Sequence, residues 1–215
     1  MIGLLGGTFD PVHYGHLRSA LDVFELLMLD ELRLIPLNQA VHRAQPQAPA
    51  AARLAMVQAA VADQPGLIVD DREIERDGPS RTYDTLVSLR AELGLRVPLC
   101  LLIGADAFSG FLDWHRPLDI LDLTHLVVMQ RPEAALPRDI NLRTQLQERR
   151  TDQLADLRAA PGGRIWVQSV TQLAISATAI RHQIATGRSA RFLLPDAVLE
   201  MIHAQQLYRT EHLSE

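Results

Sequence analysis

Short apolar runs of strand length recur at residues 1–5, 32–37, 67–69, 99–103, 126–129 and 165–167, and segments with helical spacing lie between them. Unbroken apolar runs suit strands buried on both faces, and parallel strands need a long crossover, most simply a helix. The alternation therefore predicts an α/β fold: a Rossmann-like, doubly wound parallel sheet with helices on both faces. Residues 53–61, 85–93 and 142–157 read as helices, the last charged along one side as a surface helix would be. With 215 residues at 47% hydrophobic content there is material for one large core, so a single domain over 1–215 is expected.

In open sheets of this type ligands lie beyond the carboxyl ends of the strands. Behind the first run the chain reads Gly6-Gly7-Thr8-Phe9-Asp10-Pro11-Val12-His13-Tyr14-Gly15-His16. Gly6 and Gly7 allow a turn with positive φ and remove side chains, so main-chain N–H groups can approach phosphate oxygens. Apolar residues at Leu17, Ala20, Leu21, Phe24, Leu27 and Met28 form a helical stripe, with Asp10 and Pro11 reading as its start. His13 and His16 then stand about one turn apart on one face, near the positive end of the helix dipole. That placement suits a developing negative charge.

Other readings of the segment stay open at this level. Histidines three apart can ligate zinc, although Cys100 is the sole cysteine and no further ligand pair has the spacing. Gly3, Gly6 and Gly7 do not make the dinucleotide-binding G-x-G-x-x-G, and a P-loop Gly-Lys-Ser/Thr is missing. Two half-buried histidines at an ordinary helix start fit the same letters.

A formal charge of −5 gives no support for binding to nucleic acid or an anionic membrane. No apolar stretch approaches membrane-spanning length, and no leader pattern precedes the first strand. Neither nucleic acid nor membrane is an expected partner. Cys100, inside the apolar run 98–103, reads as a buried small hydrophobe, and a reducing cytoplasm is the expected compartment.

The string Gly-Gly-Thr-Phe-Asp-Pro-x-His-x-Gly-His resembles the signature of the His-x-Gly-His nucleotidyltransferase superfamily, in the form typical of bacterial nicotinate mononucleotide adenylyltransferases. The resemblance implies the nucleotidyltransferase fold. It also implies that His13 and His16 act on the phosphates, while the ATP contacts include Gly6, Gly7, Thr8, Phe9 and Gly15.

Further segments carry the resemblance from residue 3 to residue 208. Residues 175–181 read Ile-Ser-Ala-Thr-Ala-Ile-Arg. Ser176 suits an N-cap, and Thr178 with the free N–H groups of a first turn can donate to phosphate beside the planar fork of Arg181, although a plain helix start has the same letters. The segment is similar to the family's Ile-Ser-Ser-Thr-x-Ile-Arg, with Ala177 in place of the second serine, which implies triphosphate binding by Ser176, Thr178 and Arg181. Residues 101–106 end in Ile-Gly-Ala-Asp and lead to Asp113-Trp114-His115-Arg116. Taken singly, Asp106 reads as a helix cap and Trp114 as a core aromatic. Together they resemble a family pattern that implies ATP contacts at Gly104 and Asp106 and a pyridine ring stacked on Trp114. A pyridinium over an indole gains stacking and cation–π attraction, on the order of 1 kcal/mol.

Residues 75–86 read as a polar turn capped into a helix by Asp84. They also resemble the family's Gly-x-Ser-Tyr-Thr-x-Asp-Thr-Leu, with Arg81 where tyrosine is usual. This implies that Thr82, with the main chain of His115, holds the nicotinate carboxylate. The loop 38–49, rich in proline and small residues, is expected to be irregular. Its His42 and Arg43 resemble the end of the family's Pro-Pro-His-Lys/Arg, with Ala40 and Val41 in place of the prolines, implying contact with the nicotinate nucleotide and a catalytic phosphate role for Arg43. Arg131, before Pro132, matches a family Arg-Pro and implies another ATP contact. The C-terminal stretch to Tyr208 matches the closing helix, read here as packing only.

The activity implied is adenylyl transfer from ATP to nicotinate mononucleotide, giving deamido-NAD and pyrophosphate, with Mg2+ carried on the ATP phosphates and no protein metal site. The nucleophile is already an anion, so a general base is unnecessary and catalysis is positioning plus charge stabilisation, with Arg43 and Arg181 assisting the two histidines. A transferase using nicotinamide mononucleotide or phosphopantetheine, or a non-catalytic nucleotide-binding regulator, are the alternatives.

Overall fold

A computed structural model describes residues 1–40, 45–130 and 138–209. In chain order the elements begin β1 (Ile2–Gly7), α1 (Tyr14–Leu26), β2 (Glu31–Pro36), α2 (Ala50–Val61), β3 (Leu67–Val69), α3 (Arg72–Glu75), α4 (Thr82–Leu93) and β4 (Leu99–Gly104). They continue with α5 (Ala105–Ser109), α6 (Pro117–Leu123), β5 (His125–Gln130), α7 (Ile140–Arg149), α8 (Leu154–Ala159), β6 (Ile165–Ser169), α9 (Ala177–Ala185) and α10 (Asp196–Ala204). Each apolar run became a strand of a six-stranded sheet in the order β3-β2-β1-β4-β5-β6. All neighbouring pairs are parallel.

The period of two along a strand divides the core between the two faces. In β4, Cys100 and Leu102 join one hydrophobic cluster, with residues of α1, α2, α9 and α10. Leu99, Leu101 and Ile103 join the other, with residues of α4, α6 and α7. Cys100 is fully buried, and burial pushes its thiol up to about 12, so it behaves as a small hydrophobe.

The strand order reverses between β1 and β4, the topological switch point where such sheets bind ligands. There β1 pairs with β4 only from Ile2↔Leu99 to Leu4↔Leu101. On their other sides β1 stays paired with β2 as far as Gly7, and β4 with β5 as far as Gly104. The two central strands thus part at their carboxyl ends, opening a crevice between the turns that follow them.

The helix expected over 142–157 is two helices. Thr151 leaves α7 to donate its N–H to Ile165 of β6 at 3.0 Å, and its hydroxyl donates to Asp156 in α8 at 2.6 Å. Pairing with the sheet edge outweighs continued helical hydrogen bonding at that residue. Leu142 and Leu146 are the buried residues of α7, consistent with a surface helix. Among the described residues no helix is long and apolar enough to cross a membrane.

Candidate active site

Gly6 and Gly7 do not form a left-handed turn. Both belong to β1, paired with Ile35 and Pro36, and neither has positive φ. What matters is their missing side chains. A Cβ on Gly7 would lie 2.9 Å from the Phe9 ring, while one on Gly6 would stand in open space at the mouth of the crevice. The left-handed residue is Phe9 itself, with φ 47°, a conformation held by burial of its ring.

Helix α1 starts at Tyr14 rather than at Asp10 and Pro11, because His13 is extended, with φ −150°. The His13 carbonyl accepts from the N–H groups of His16 at 2.9 Å and Leu17 at 3.2 Å, which places the two imidazoles on one side of the helix start. They stack, with ring centroids 3.8 Å apart and planes 23° from parallel. Gly15 makes room for this arrangement, since a Cβ there would lie 2.9 Å from the His13 ring and 3.3 Å from the Ile175 carbonyl. Nδ1 of each ring is buried with no hydrogen-bond partner in the protein. Burial lowers His13 to about 4. Burial, with His13 nearby, lowers His16 to about 3. Both rings are therefore neutral at pH 7, polar groups whose unmet hydrogen bonds a ligand can supply.

Two charged residues beneath the loop hold its shape. The Asp10 carboxylate is buried and accepts the N–H groups of Gln47 at 2.8 Å and Ala48 at 3.0 Å, together with the Tyr208 hydroxyl at 2.7 Å. Arg53, 1% exposed, donates to the carbonyls of Thr8 at 2.9 Å, Leu37 at 2.7 Å and Ala48 at 3.2 Å. A buried guanidinium spread over several carbonyls satisfies chain reversals that no secondary structure serves.

Beside the start of α1, Ser176 caps α9, its hydroxyl accepting from the Ala179 N–H at 3.2 Å as expected. Thr178 is exposed in the first turn. Nη1 of Arg181 donates to the Asp10 carbonyl at 2.7 Å, and its Nε is buried without a partner. Histidine pair and α9 arginine thus meet at the signature loop. Gly104 ends β4 and precedes α5, where an added Cβ would again meet open space. Asp106 does not cap that helix: Gly104 holds the cap position and the Asp106 carboxylate is exposed in the first turn.

A third group gathers at the start of α4. The helix begins at Thr82, so Asp84 is a first-turn residue and not the cap. Tyr83 links the segments, with the Arg116 guanidinium 4.0 Å above its ring and His115 edge-on at 5.9 Å. Trp114 is half-buried, tilted 57° against Phe111 at 5.5 Å. The Ser80 hydroxyl accepts from the Asn38 N–H at 2.9 Å, tying this corner to the segment after β2. So the loop 38–49 is fastened at Asn38, Gln47 and Ala48, although His42 and Arg43, like Arg131, lie outside the described residues.

Asp10, Arg53 and Tyr208 were not expected as parts of this site. Asp10 carried a signal, being a charged residue inside the motif. The other two had none locally, because their partners stand 45 and 198 residues away in the chain. The reading of the C-terminal stretch as packing only is corrected by the Tyr208 hydrogen bond.

The cytidylyltransferase-like family matches residues 4–183. A Pseudomonas aeruginosa protein named "Probable nicotinate-nucleotide adenylyltransferase" is 53% identical over 213 residues, covering 98% of both chains. One of the same name from Methylococcus capsulatus is 49% identical over 209 residues, covering 97% of this chain and 99% of that one. Among solved structures, Plasmodium falciparum nicotinic acid mononucleotide adenylyltransferase complexed with NaAD superposes with a TM-score of 0.72 at 15% identity, over 96% of each chain, which shows a shared fold. With half its residues shared along nearly the full length of those two bacterial relatives, the chain belongs to the nicotinate-nucleotide adenylyltransferase family.

Proposed function

We propose that the chain transfers the adenylyl group of ATP to nicotinate mononucleotide, releasing pyrophosphate and forming deamido-NAD, as a single nucleotidyltransferase domain. The observation that carries this reading is the stacked His13–His16 pair, with its unpartnered buried nitrogens, at the exit of β1 where the strand order reverses. Family membership supports the choice of substrates.

A phosphate oxygen of the mononucleotide attacks the α-phosphorus of ATP; the new P–O bond forms as the bond to the bridging β-oxygen breaks, and pyrophosphate leaves with that electron pair. The attacking group is an anion already, so the protein's task is alignment and stabilisation of charge in the crowded phosphorus centre. His13 and His16 donate to the reacting phosphates. Main-chain groups of Gly6, Gly7, Thr8 and Phe9 line the passage, with Gly15 seating the histidines. Ser176, Thr178 and Arg181 hold the β- and γ-phosphates, and Gly104 with Asp106 takes the adenosine side. Trp114 stacks on the pyridine ring, and Thr82 with His115 holds its carboxylate. His42, Arg43 and Arg131 complete the anionic contacts. Mg2+ enters as part of the nucleotide substrate, held by phosphate and water.

The test is acceptor selectivity. Purified chain with MgATP is offered nicotinate mononucleotide, nicotinamide mononucleotide or phosphopantetheine, while pyrophosphate and the coupled product are measured. The nicotinate nucleotide should be the preferred acceptor. Preference for another acceptor, or ATP binding without turnover on any of them, overturns the reading.

A further inference from the structure

The far end of the chain reaches into the signature loop. Tyr208, beyond α10, has φ 62° and packs against the core cluster to which α1 and α2 contribute. Its hydroxyl donates to Oδ1 of Asp10 at 2.7 Å. Burial and the adjacent Asp10 carboxylate both push the tyrosine pKa up, so the proton stays on the phenol and the bond keeps this direction.

Asp10 faces more than one cation. Arg53 lies beneath it and spends its donors on carbonyls. Arg181 has Nη1 at 2.7 Å from the Asp10 main-chain oxygen but 3.8 Å from Oδ2. Its Nη2 is 3.4 Å from the Thr178 hydroxyl, and its Nε has no partner. The carboxylate is instead served by the N–H groups of Gln47 and Ala48 and by Tyr208. Arg181 is thus held by the Asp10 main chain, with the carboxylate at ion-pair distance but not in hydrogen-bond contact.

We propose that Tyr208 is a positioning residue for adenylyl transfer: by donating to Asp10 it keeps that carboxylate from closing on Arg181 and leaves the guanidinium free for the ATP polyphosphate. Without the phenol, Asp10 loses one of its donors and carries a less stabilised charge, and Arg181, already 3.8 Å from Oδ2, is the cation it draws in. The inference rests on the adenylyl-transfer reading above, deepening it by naming what sets the triphosphate arginine.

The experiment is Tyr208→Phe in the full chain, with ATP affinity measured directly by calorimetry alongside the KM of each substrate. ATP affinity should fall by about tenfold, the effect of one displaced charge-assisted contact. The KM for the mononucleotide should stay within about twofold. On an Arg181→Ala background the same change should have no further effect on ATP affinity, because contacts that act through one another do not add. An equal loss on that background, an equal loss for both substrates, or unchanged ATP affinity overturns the proposal. Asp10→Asn provides a second check: a neutral side chain cannot attract Arg181 as the carboxylate does, so Tyr208→Phe added to it should leave ATP affinity unchanged, and a renewed tenfold loss overturns the proposal. ATP binding needs no acceptor, so loss of transfer with every acceptor would refute the functional reading while the Tyr208 comparison still stands or falls by itself.

Discussion

The ring of Phe9 meets His16 edge-on, with centroids 5.2 Å apart and planes at 77°. A residue in the left-handed region of the signature loop thereby buttresses the second imidazole, while Gly15 gives the first its seat. Nδ1 of neither histidine has a hydrogen-bond partner in the protein, so the ring contacts with Phe9, Gly15 and each other orient the pair at that edge.

Replacing His16 with alanine removes one of the two donors proposed for the reacting phosphates while leaving the Phe9 ring anchored in the core. Turnover should fall by roughly 100-fold or more, the scale of one lost transition-state contact, with little change in the denaturation midpoint. Steady-state kinetics and circular dichroism on the same preparation check this, and near-normal turnover would remove His16 from the mechanism.

Acid should destabilise the protein through the same pair. The folded state holds His13 at about 4 and His16 at about 3, both below the ordinary value of 6.5. Between pH 6.5 and about 4 the unfolded chain therefore binds protons that the folded chain does not, so folding stability declines as pH falls through that window. At about 1.4 kcal/mol for each pKa unit, the loss is on the order of a few kcal/mol. Urea denaturation at pH 7 and pH 5 should show it, and a His13→Asn/His16→Asn variant should flatten the slope. A bound triphosphate opposes the effect, because its negative charge favours the protonated rings, and ATP binding should take up protons in this range.

Truncation of Trp114 separates the two substrates. Trp114→Ala should raise the KM for nicotinate mononucleotide by about tenfold and change that for ATP by no more than about twofold, as expected for a loss near 1.4 kcal/mol in stacking at one ring. Equal changes for both substrates would exclude the stacking role.

Arg53 is where the loop should break. In Arg53→Met the carbonyls of Thr8, Leu37 and Ala48 lose their buried donor, and each unsatisfied group costs on the order of 1–3 kcal/mol. Chemical denaturation should register a destabilisation of about 3 kcal/mol or more, with ATP affinity falling as the loop loosens. A loss under about 1 kcal/mol would mean that other donors replace the guanidinium.

Much of this was legible in one dimension because it depends on local periodicity. Apolar runs such as 99–103 and 126–129 became β4 and β5, extended by a residue or so at their ends. The His13–His16 juxtaposition follows from spacing at the start of α1, and the Ser176 cap from its place before α9. Expectations failed where a distant partner decided the outcome. Gly6 and Gly7 stayed in the strand because β2 pairs with them and the Phe9 ring needs the space. The break at Thr151 came from β6, and the true starts of α1 and α4 shifted relative to the capping letters because His13 and Arg81 are held extended.

Alone, the order of residues determined the parallel α/β architecture and the family signature, since both are written in short-range patterns of burial and charge. Only the folded chain decided that Asp10 gathers donors from residues 47, 48 and 208, that Arg53 reaches back beneath Thr8, and that β1 and β4 part ahead of their ends. Those contacts join segments far apart in the chain, and a buried charge takes whichever donors the packed elements bring to it, a choice that no local spacing encodes.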